Sequence, residues 1–536
     1  MAEAAKPLAI GRGQEGKIDL TASATAAPQR SGSYANYVLG ILFLVYVLNF
    51  IDRQILSILA KDVKRDLGLD DADIGFLFGT AFGVFYSLFG IPLGRLADNW
   101  HRVRLITVGL AIWSAMTAFS GLARTGAQLT LARIGVGVGE ATASPCAYSL
   151  ISDYFPRERR ATALAIYSSG IFIGGGVSLF IGGSIVDSWN RAYPAGHWGL
   201  VGWQAAFMAV GLPGLLLALL VSTLREPLRG ESDGLVTPPS AEPFRDFAAE
   251  LISIIPPLTL VGAARRGLGA LAINVAALAT AAATIWLLTK ATGDAAQWIA
   301  VCGGAYAVFS WAAALRDRDP ATYRLIWGTR AFLYVALGYG LISFVSYGVA
   351  AFGALYAETV LHRPKTEVGL FLGGGAAAGG FLGIVLGGRI ADALKQRHRW
   401  GRVPVIMAGT VLPVPFLIYA YTTSNVAGFY FASFLMSGLA SAALGPAGAT
   451  TQDLVLPRMR GTATATFFIA TALIGLALGP YFAGFVSKAS GELRIGVLSL
   501  LAVGPVSLTL LILAWRAVPA AEASVRERAR AAGEAI

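Results

Sequence analysis

The chain has 536 residues, 55% of them hydrophobic and only 14% charged, and 42 Lys and Arg against 31 Asp and Glu give a formal net charge of +11. A soluble protein carries nearer a quarter charged residues, and a run of about 20 apolar residues is long enough to cross a bilayer core as a helix, so the composition excludes a soluble enzyme or binding module. The positive charge is spread over short loops and forms no basic face, which fits membrane topology and not nucleic-acid binding.

Residues 1–34 are polar and rich in Ala, Gly and Ser, and are expected to form a disordered tail with no cleavable signal. Six apolar runs follow, at 37–59, 74–95, 103–123, 126–151, 161–186 and 203–224. In lipid a backbone must satisfy its own hydrogen bonds, so these runs are helices. They define a first bundle over 35–224.

The stretch 225–328 is different. Residues 225–250 carry Pro, Gly and mixed charge and read as a cytoplasmic linker. Residues 251–266 are apolar, broken by Pro256-Pro257 and closed by Arg265-Arg266, as in an interfacial segment. Leu268–Thr289 and Ala295–Leu315 are uncharged and read as an extra transmembrane hairpin, which would bring the count to 14 spans; the alternative is a pair of surface helices, since both runs are Ala-rich. A second bundle over 329–517 has spans at 329–357, 368–390, 403–421, 426–451, 461–487 and 494–516, and 518–536 is expected to be a tail. Lys and Arg concentrate in the loops at Arg102 and Arg104, at Arg157, Arg159 and Arg160, and at Lys395 to Arg402. The positive-inside rule therefore puts both termini in the cytoplasm of a cell whose inner membrane holds the chain. The loop at 60–73 is an exception, with Lys61, Lys64 and Arg65 among Asp62, Asp66, Asp70 and Asp71.

The two bundles repeat each other. Gly94-Arg95-Leu96-Ala97-Asp98 returns as Gly388-Arg389-Ile390-Ala391-Asp392, and Gly75 and Gly79 return as Gly369 and Gly373. Asp153 to Ala163 is echoed by Asp453 to Ala463. A duplicated six-helix unit is a common build of transporters.

These motifs resemble the major facilitator superfamily. Gly94 to Asp98 with His101-Arg102-Val103-Arg104 is similar to its signature between helices 2 and 3, and Arg133-Ile-Gly135-Val-Gly137-Val-Gly139-Glu140 is similar to its helix-4 motif. A narrower likeness, to the Spinster subfamily, rests on Asn49-Phe50-Ile51-Asp52-Arg53, Gly137 to Ala141 and Gly174-Gly175-Gly176. The resemblance implies two pseudo-symmetric six-helix bundles, alternating access and a cavity lined by helices 1, 4, 7 and 10. It also implies an amphipathic substrate, since animal Spinster proteins are associated with lysophospholipid and sphingosine-1-phosphate export. The extra hairpin departs from the usual twelve helices.

Four ionisable residues fall inside spans, where each charge costs about 2.5–3.5 kcal/mol on insertion scales and usually faces a partner or cavity. At about 1.5 Å per residue, Asp52 and Arg133 fall at one level, with Glu140 about two turns nearer the cytoplasm. Asp52 and Glu140 are therefore expected to exchange protons, with Arg53 and Arg133 tuning them; the bland alternative is a fixed salt-bridge network ordering helices 1 and 4. Arg53 is also a candidate grip for an anionic head group. Substrate contacts are expected from Arg53 and Glu140, from Tyr339, Ser343, Phe344 and Tyr347 in helix 7, Met436 and Ser437 in helix 10, and Phe467 in helix 11. Asp98, Arg102, Asp153 and Arg160, with Asp392, Asp453 and Arg460, are candidates for a cytoplasmic gate that pairs in one state and parts in the other. Glu358 is a candidate for an outer gate.

No phosphate-binding loop of the Walker type and no HExxH occur, so neither ATP hydrolysis, nor a metal site, nor another cofactor is expected; the proton gradient is the energy source. Cys146 and Cys302 lie in apolar runs and suggest no disulfide framework. The expected partners are a small amphipathic molecule or lipid and the surrounding membrane lipids, and the expected state is a monomer. A drug or organic-anion porter of the same fold, and a transporter-like receptor without flux, stay open as alternatives.

Overall fold

The computed structural model describes residues 32–230 and 241–534; the expected tail up to residue 31 and the middle of the 225–250 linker lie outside them. Span 1 is Gly32–Leu67, span 2 Asp71–Asn99, span 3 Arg102–Ser120, span 5 Arg157–Ala192 and span 6 Gly202–Ser222. Span 4 covers 126–154 as two stacked helices, Gly126–Glu140 and Ala143–Tyr154. The second half repeats this order, with span 7 at Arg330–Thr359, span 8 at Lys365–Arg397, span 9 at Val403–Thr422, span 10 at Val426–Asp453, span 11 at Pro457–Ser490 and span 12 at Leu493–Ala523. With the hairpin helices Leu268–Thr292 and Ala295–Arg318, this is the all-α fold of two six-helix bundles expected above. An even number of crossings leaves both described ends on one face, termed here the terminal face; the other is the distal face.

The repeat extends to local detail. Thr125 caps span 4 by accepting from Gln128 N at 3.2 Å, and Asn425 caps span 10 by accepting from Gly428 N at 3.2 Å, which satisfies helix-start donors in both copies. Spans 2 and 8 each carry a π-helical turn, Phe76–Thr80 and Gly369–Gly373, on the side where the halves meet. The repeated glycines have a shared reason. Gly75 and Gly79 abut the span 11 backbone at Pro480 and Leu476, while Gly369 and Gly373 abut span 5 at Leu179 and Gly176. Removing the side chain lets the two backbones touch, which is how helices associate closely in lipid. Gly90 and Gly94, on the same stripe of span 2, meet nothing.

The inserted segment is ordered around span 2. Helices Pro243–Ile254 and Leu258–Arg266 meet at a bend of 98°, at the Pro-Pro step. The first rests on the terminal end of span 2, where Phe244 packs on Trp100 at 5.2 Å, and Glu250 holds Arg318 at 2.7 Å. Of the hairpin, Leu268–Thr292 is almost wholly turned outward, with Asn274 its buried residue. Ala295–Arg318 lies across the seam between spans 2 and 11. There the Thr80 hydroxyl stands 2.6 Å from Gln297 Oε1 and 2.7 Å from the Ala477 carbonyl oxygen, and Tyr481 donates to Asp294 at 2.7 Å.

The region expected to be a tail after residue 518 is helical. Span 12 runs to Ala523, and Val525–Arg530 folds back as a short helix. Val525 and Ala529 bury against Ala321 and Leu325 of the helix Pro320–Ile326, so an Ala-rich stretch that read as polar tail finds an apolar partner. Arg458 locks this corner, bonding Asp319 at 2.7 Å and also Glu534. The Arg458 hydrogen bond holds Asp319 down at about 2. A depressed carboxylate stabilises above its unfolded value, and that stability fades only as pH falls through the folded one. Protease protection of the C-terminal helix is therefore expected to be the same at about pH 8 and about pH 5, and to be lost in Arg458→Ala at both.

Candidate functional site

Spans 1 and 4 bring the four intramembrane charges together. Arg53 Nη2 donates to Glu140 Oε2 at 2.9 Å and lies 3.4 Å from Asn49 Oδ1. Its guanidinium is stacked among Phe50, Phe82 and Tyr86, at 4.6, 4.6 and 4.8 Å from the ring centroids, a cation–π arrangement that a flat, weakly hydrated cation suits. Arg133 Nη1 donates to the Asp52 carbonyl at 3.1 Å, so the two share a level. Asp52 is fully buried and its carboxyl oxygens have no hydrogen-bond partner. It faces span 3, where Trp113 and Thr117 are its neighbours and are themselves unpartnered at Nε1 and Oγ1. Burying a carboxyl group beside two such donors costs free energy unless they pair with it. Trp113 and Thr117 escaped the sequence reading, because one Thr and one Trp in an apolar run carry no periodic signal.

Beside this cluster a cavity of about 320 Å³ opens between the halves. Phe50, Gln54 and Phe172 line it from the first half, Tyr347, Met436 and Pro413 from the second. The wall is mostly apolar, and Phe50 separates it from the Arg53–Glu140 pair. Of the residues expected to touch substrate, Tyr347, Met436 and Ser437 are on the wall. Tyr339, Ser343, Phe344 and Phe467 are not on this wall: they are buried between spans 7 and 11, where Tyr339 stacks on Phe467 at 5.1 Å and Gly475 abuts Ser343. A span apolar all round gives no sequence cue to which side faces a cavity. Span 9 also reaches the wall, through Thr410, Pro413 and Leu417, at the break where Pro413 interrupts its helix.

The halves are closed against each other at the distal face. Lys365 Nζ lies 2.5 Å from Glu358 and 3.3 Å from Asp62, and Lys488 lies 2.7 Å from Asp70. Asp187 accepts from Thr366 N at 2.9 Å, and Ser487 donates to Asp71 at 2.5 Å. Asp187 and Ser487 occupy matching places in spans 5 and 11, so each half tethers the start of the other half's second helix. Of these residues the sequence reading had singled out Glu358, and had noted the crowded charge at 60–73 without assigning it.

At the terminal face the ion pairs close within each half. Buried Arg102 binds Asp153, Glu226 at 2.7 Å and Ser149 at 2.7 Å. Its repeat partner Arg402 binds Asp453, and Asp392 at 3.0 Å. Asp98 and Arg460 are exposed, and Arg160 stands at the start of span 5. Among the described residues no ion pair crosses between the halves here. The copies differ in burial, and this sets their weight. Arg102→Ala strands two carboxylates in a closed pocket and is expected to cost about 3–5 kcal/mol. Arg402→Ala, at half-exposed partners, is expected to cost about 0–1 kcal/mol. Thermal unfolding of the two purified variants compares them; equal shifts would contradict the burial argument.

Two like bundles, closed at one face around a central cavity with buried charge beside it, define a membrane transporter. The chain belongs to the Major Facilitator Superfamily, whose family model matches residues 42–361 and 335–535. An MFS-type efflux pump of Mycolicibacterium smegmatis is 26% identical over 495 residues, 92% of this chain and 94% of that protein. Protein spinster homolog 1 of Bos taurus is 25% identical over 481 residues, 85% of this chain and 74% of that protein. A solved bacterial homolog to the human lysosomal transporter Spinster, inward-facing and unoccupied, superimposes with a TM-score of 0.67 at 25% identity, covering 93% of this chain and 99% of that one. The likeness to Spinster proteins read from the motifs is borne out.

Proposed function

We propose that the protein is a proton-coupled secondary transporter that moves an amphipathic, lysolipid-like or sphingolipid-like anion by alternating access. The observation that carries this reading is the Arg53–Glu140 pair set directly behind Phe50 at the wall of an apolar cavity. An anionic head group reaching Arg53 competes with Glu140 for the cation, and a proton on Glu140 frees Arg53 to bind it. Substrate and proton then occupy the site together, while the tail lies along Phe172, Tyr347, Met436 and Leu417. Asp52, with Arg133 beside it, is the second proton carrier. The energy comes from the proton gradient, and no cofactor or metal takes part. The protein works as a monomer in the inner membrane, with the terminal face in the cytoplasm, so the closed distal face points outward. There the terminal-face charges on Asp98, Arg102, Asp153, Arg160, Asp392, Asp453 and Arg460 re-pair between halves when the distal face opens.

The test is flux in proteoliposomes under an imposed pH gradient, with lysophospholipid and sphingoid phosphate as substrates. Gradient-driven flux that Asp52→Asn and Glu140→Gln both abolish is the expected result. Binding without flux would favour a receptor. The relative named as an efflux pump supports a second reading, a drug or organic-anion porter; flux of lipophilic drugs uncontested by lysolipid would favour it.

A further inference from the structure

The distal gate contains a cluster of charges that does not balance. Lys365 Nζ is shared by two carboxylates, at 2.5 Å from Glu358 Oε2 and 3.3 Å from Asp62 Oδ2, and its third donor goes to the Ile58 carbonyl at 2.8 Å. The side chains are 8%, 4% and 9% exposed for Lys365, Glu358 and Asp62. Glu358 Oε1 has no hydrogen-bond partner, and Asp62 Oδ2 has none besides its ion pair with Lys365. The surroundings offer little further positive charge. From span 1, Lys61 is exposed and Arg65 is exposed and divided between Asp62 and Asp66. From span 5, Asp187 adds a further carboxylate, bound to Thr366. In span 8, Arg363 is taken by Glu367. Gly183 of span 5 lies against the Lys365 backbone.

We propose that Asp62, Glu358 and Lys365 form a proton-binding site in the distal gate, filled while the gate is closed and emptied when it opens. A second carboxylate beside Glu358, with one ammonium between them in a dry space, favours a proton on Glu358. The new O–H bond forms at the unpartnered Glu358 Oε1, and the proton comes from water at the distal face and returns there. Asp62 belongs to the first half, whereas Glu358 and Lys365 both belong to the second. Parting the halves therefore takes Asp62 into water and leaves Glu358 and Lys365 as a neutral pair, with no need of the extra proton. A ligand held more tightly by one state stabilises that state by the same factor. Acid at the distal face closes this gate, and alkali loosens it. This site is separate from Asp52 and Glu140, and its test reads no transport.

The experiment labels Leu122→Cys and Ser424→Cys, both in distal loops of opposite halves, in the full chain reconstituted in lipid, and measures their separation by pulsed spin resonance without substrate. Between about pH 8 and about pH 5 the closed-to-open ratio is expected to rise on the order of tenfold. Glu358→Gln and Asp62→Asn each flatten that response: the amide at 358 still accepts from Lys365 but does not titrate, and the amide at 62 removes the second negative charge. A second readout, the infrared carbonyl stretch of a protonated carboxyl group, is expected to weaken in Glu358→Gln and in Asp62→Asn. It applies even where the gate stays closed throughout. An infrared band untouched by both variants overturns the proposal, as does a pH response that both retain.

Discussion

Glu140→Ala is expected to destabilise the first half by about 3–5 kcal/mol, because it leaves a guanidinium buried with its charge unpaired. Arg53 is 6% exposed and already lacks a partner at Nε. The three surrounding rings and a long contact to Asn49 Oδ1 at 3.4 Å would then face it. Gradient-driven flux is expected to vanish as well. Two further variants separate stability from mechanism. Glu140→Gln keeps an acceptor for Arg53 at 2.9 Å but cannot titrate, so it is expected to fold nearly as wild type and to lose the dependence of flux on the proton gradient. Arg53→Met combined with Glu140→Leu removes both charges, and is expected to recover thermal stability without recovering flux, since a buried ion pair is often replaceable by apolar packing. Wild-type coupling in Glu140→Gln would refute a role for this carboxylate in proton transfer.

Gly176→Val is expected to lower transport by roughly 5–150-fold by holding the distal face apart, taking about 1–3 kcal/mol for an overpacked contact. A Cβ on Gly176 would fall 2.5 Å from the Gly373 carbonyl oxygen and 2.7 Å from Ala377 Cβ. All of those atoms belong to the opposite half, so packing within each bundle is undisturbed and the variant should still fold. The readout is alkylation of Lys365 by an amine reagent added from the distal side: buried at 8% in the closed gate, it becomes accessible in the variant. A variant with unchanged Lys365 labelling and full transport would show that the crossing tolerates a side chain.

How much of this was legible in the chain follows from where each signal is stored. The repeated loop motif and glycines announced two bundles, because duplication is written in sequence order. Asp52, Arg53, Arg133 and Glu140 stood out because charge is rare in a membrane span, and rarity needs no partner to be seen. The distal gate was harder. Lys365 carries no motif, and it acquires meaning only when spans 1, 7 and 8 bring Asp62 and Glu358 to it. Tyr339 and Phe467 were misplaced for another reason. Each span is apolar on every side, so periodicity cannot tell lipid, helix neighbour and cavity apart. The C-terminal helix shows the same blindness at short range, since its apolar partner, Pro320–Ile326, lies some two hundred residues earlier in the chain.

The hairpin helix Ala295–Arg318 spans one seam and leaves the other bare. Gln297, Thr80 and Ala477 tie spans 2 and 11 together, and among the described residues no inserted helix is laid over spans 5 and 8. Separation at the distal face must break those bonds along one edge, and the glycine contacts and the Asp187–Thr366 hydrogen bonds along the other. The motion is thereby made lopsided, with the strapped edge acting as a hinge and the bare edge as a mouth. The lipid-like cargo proposed above would then enter sideways on the side away from the hairpin.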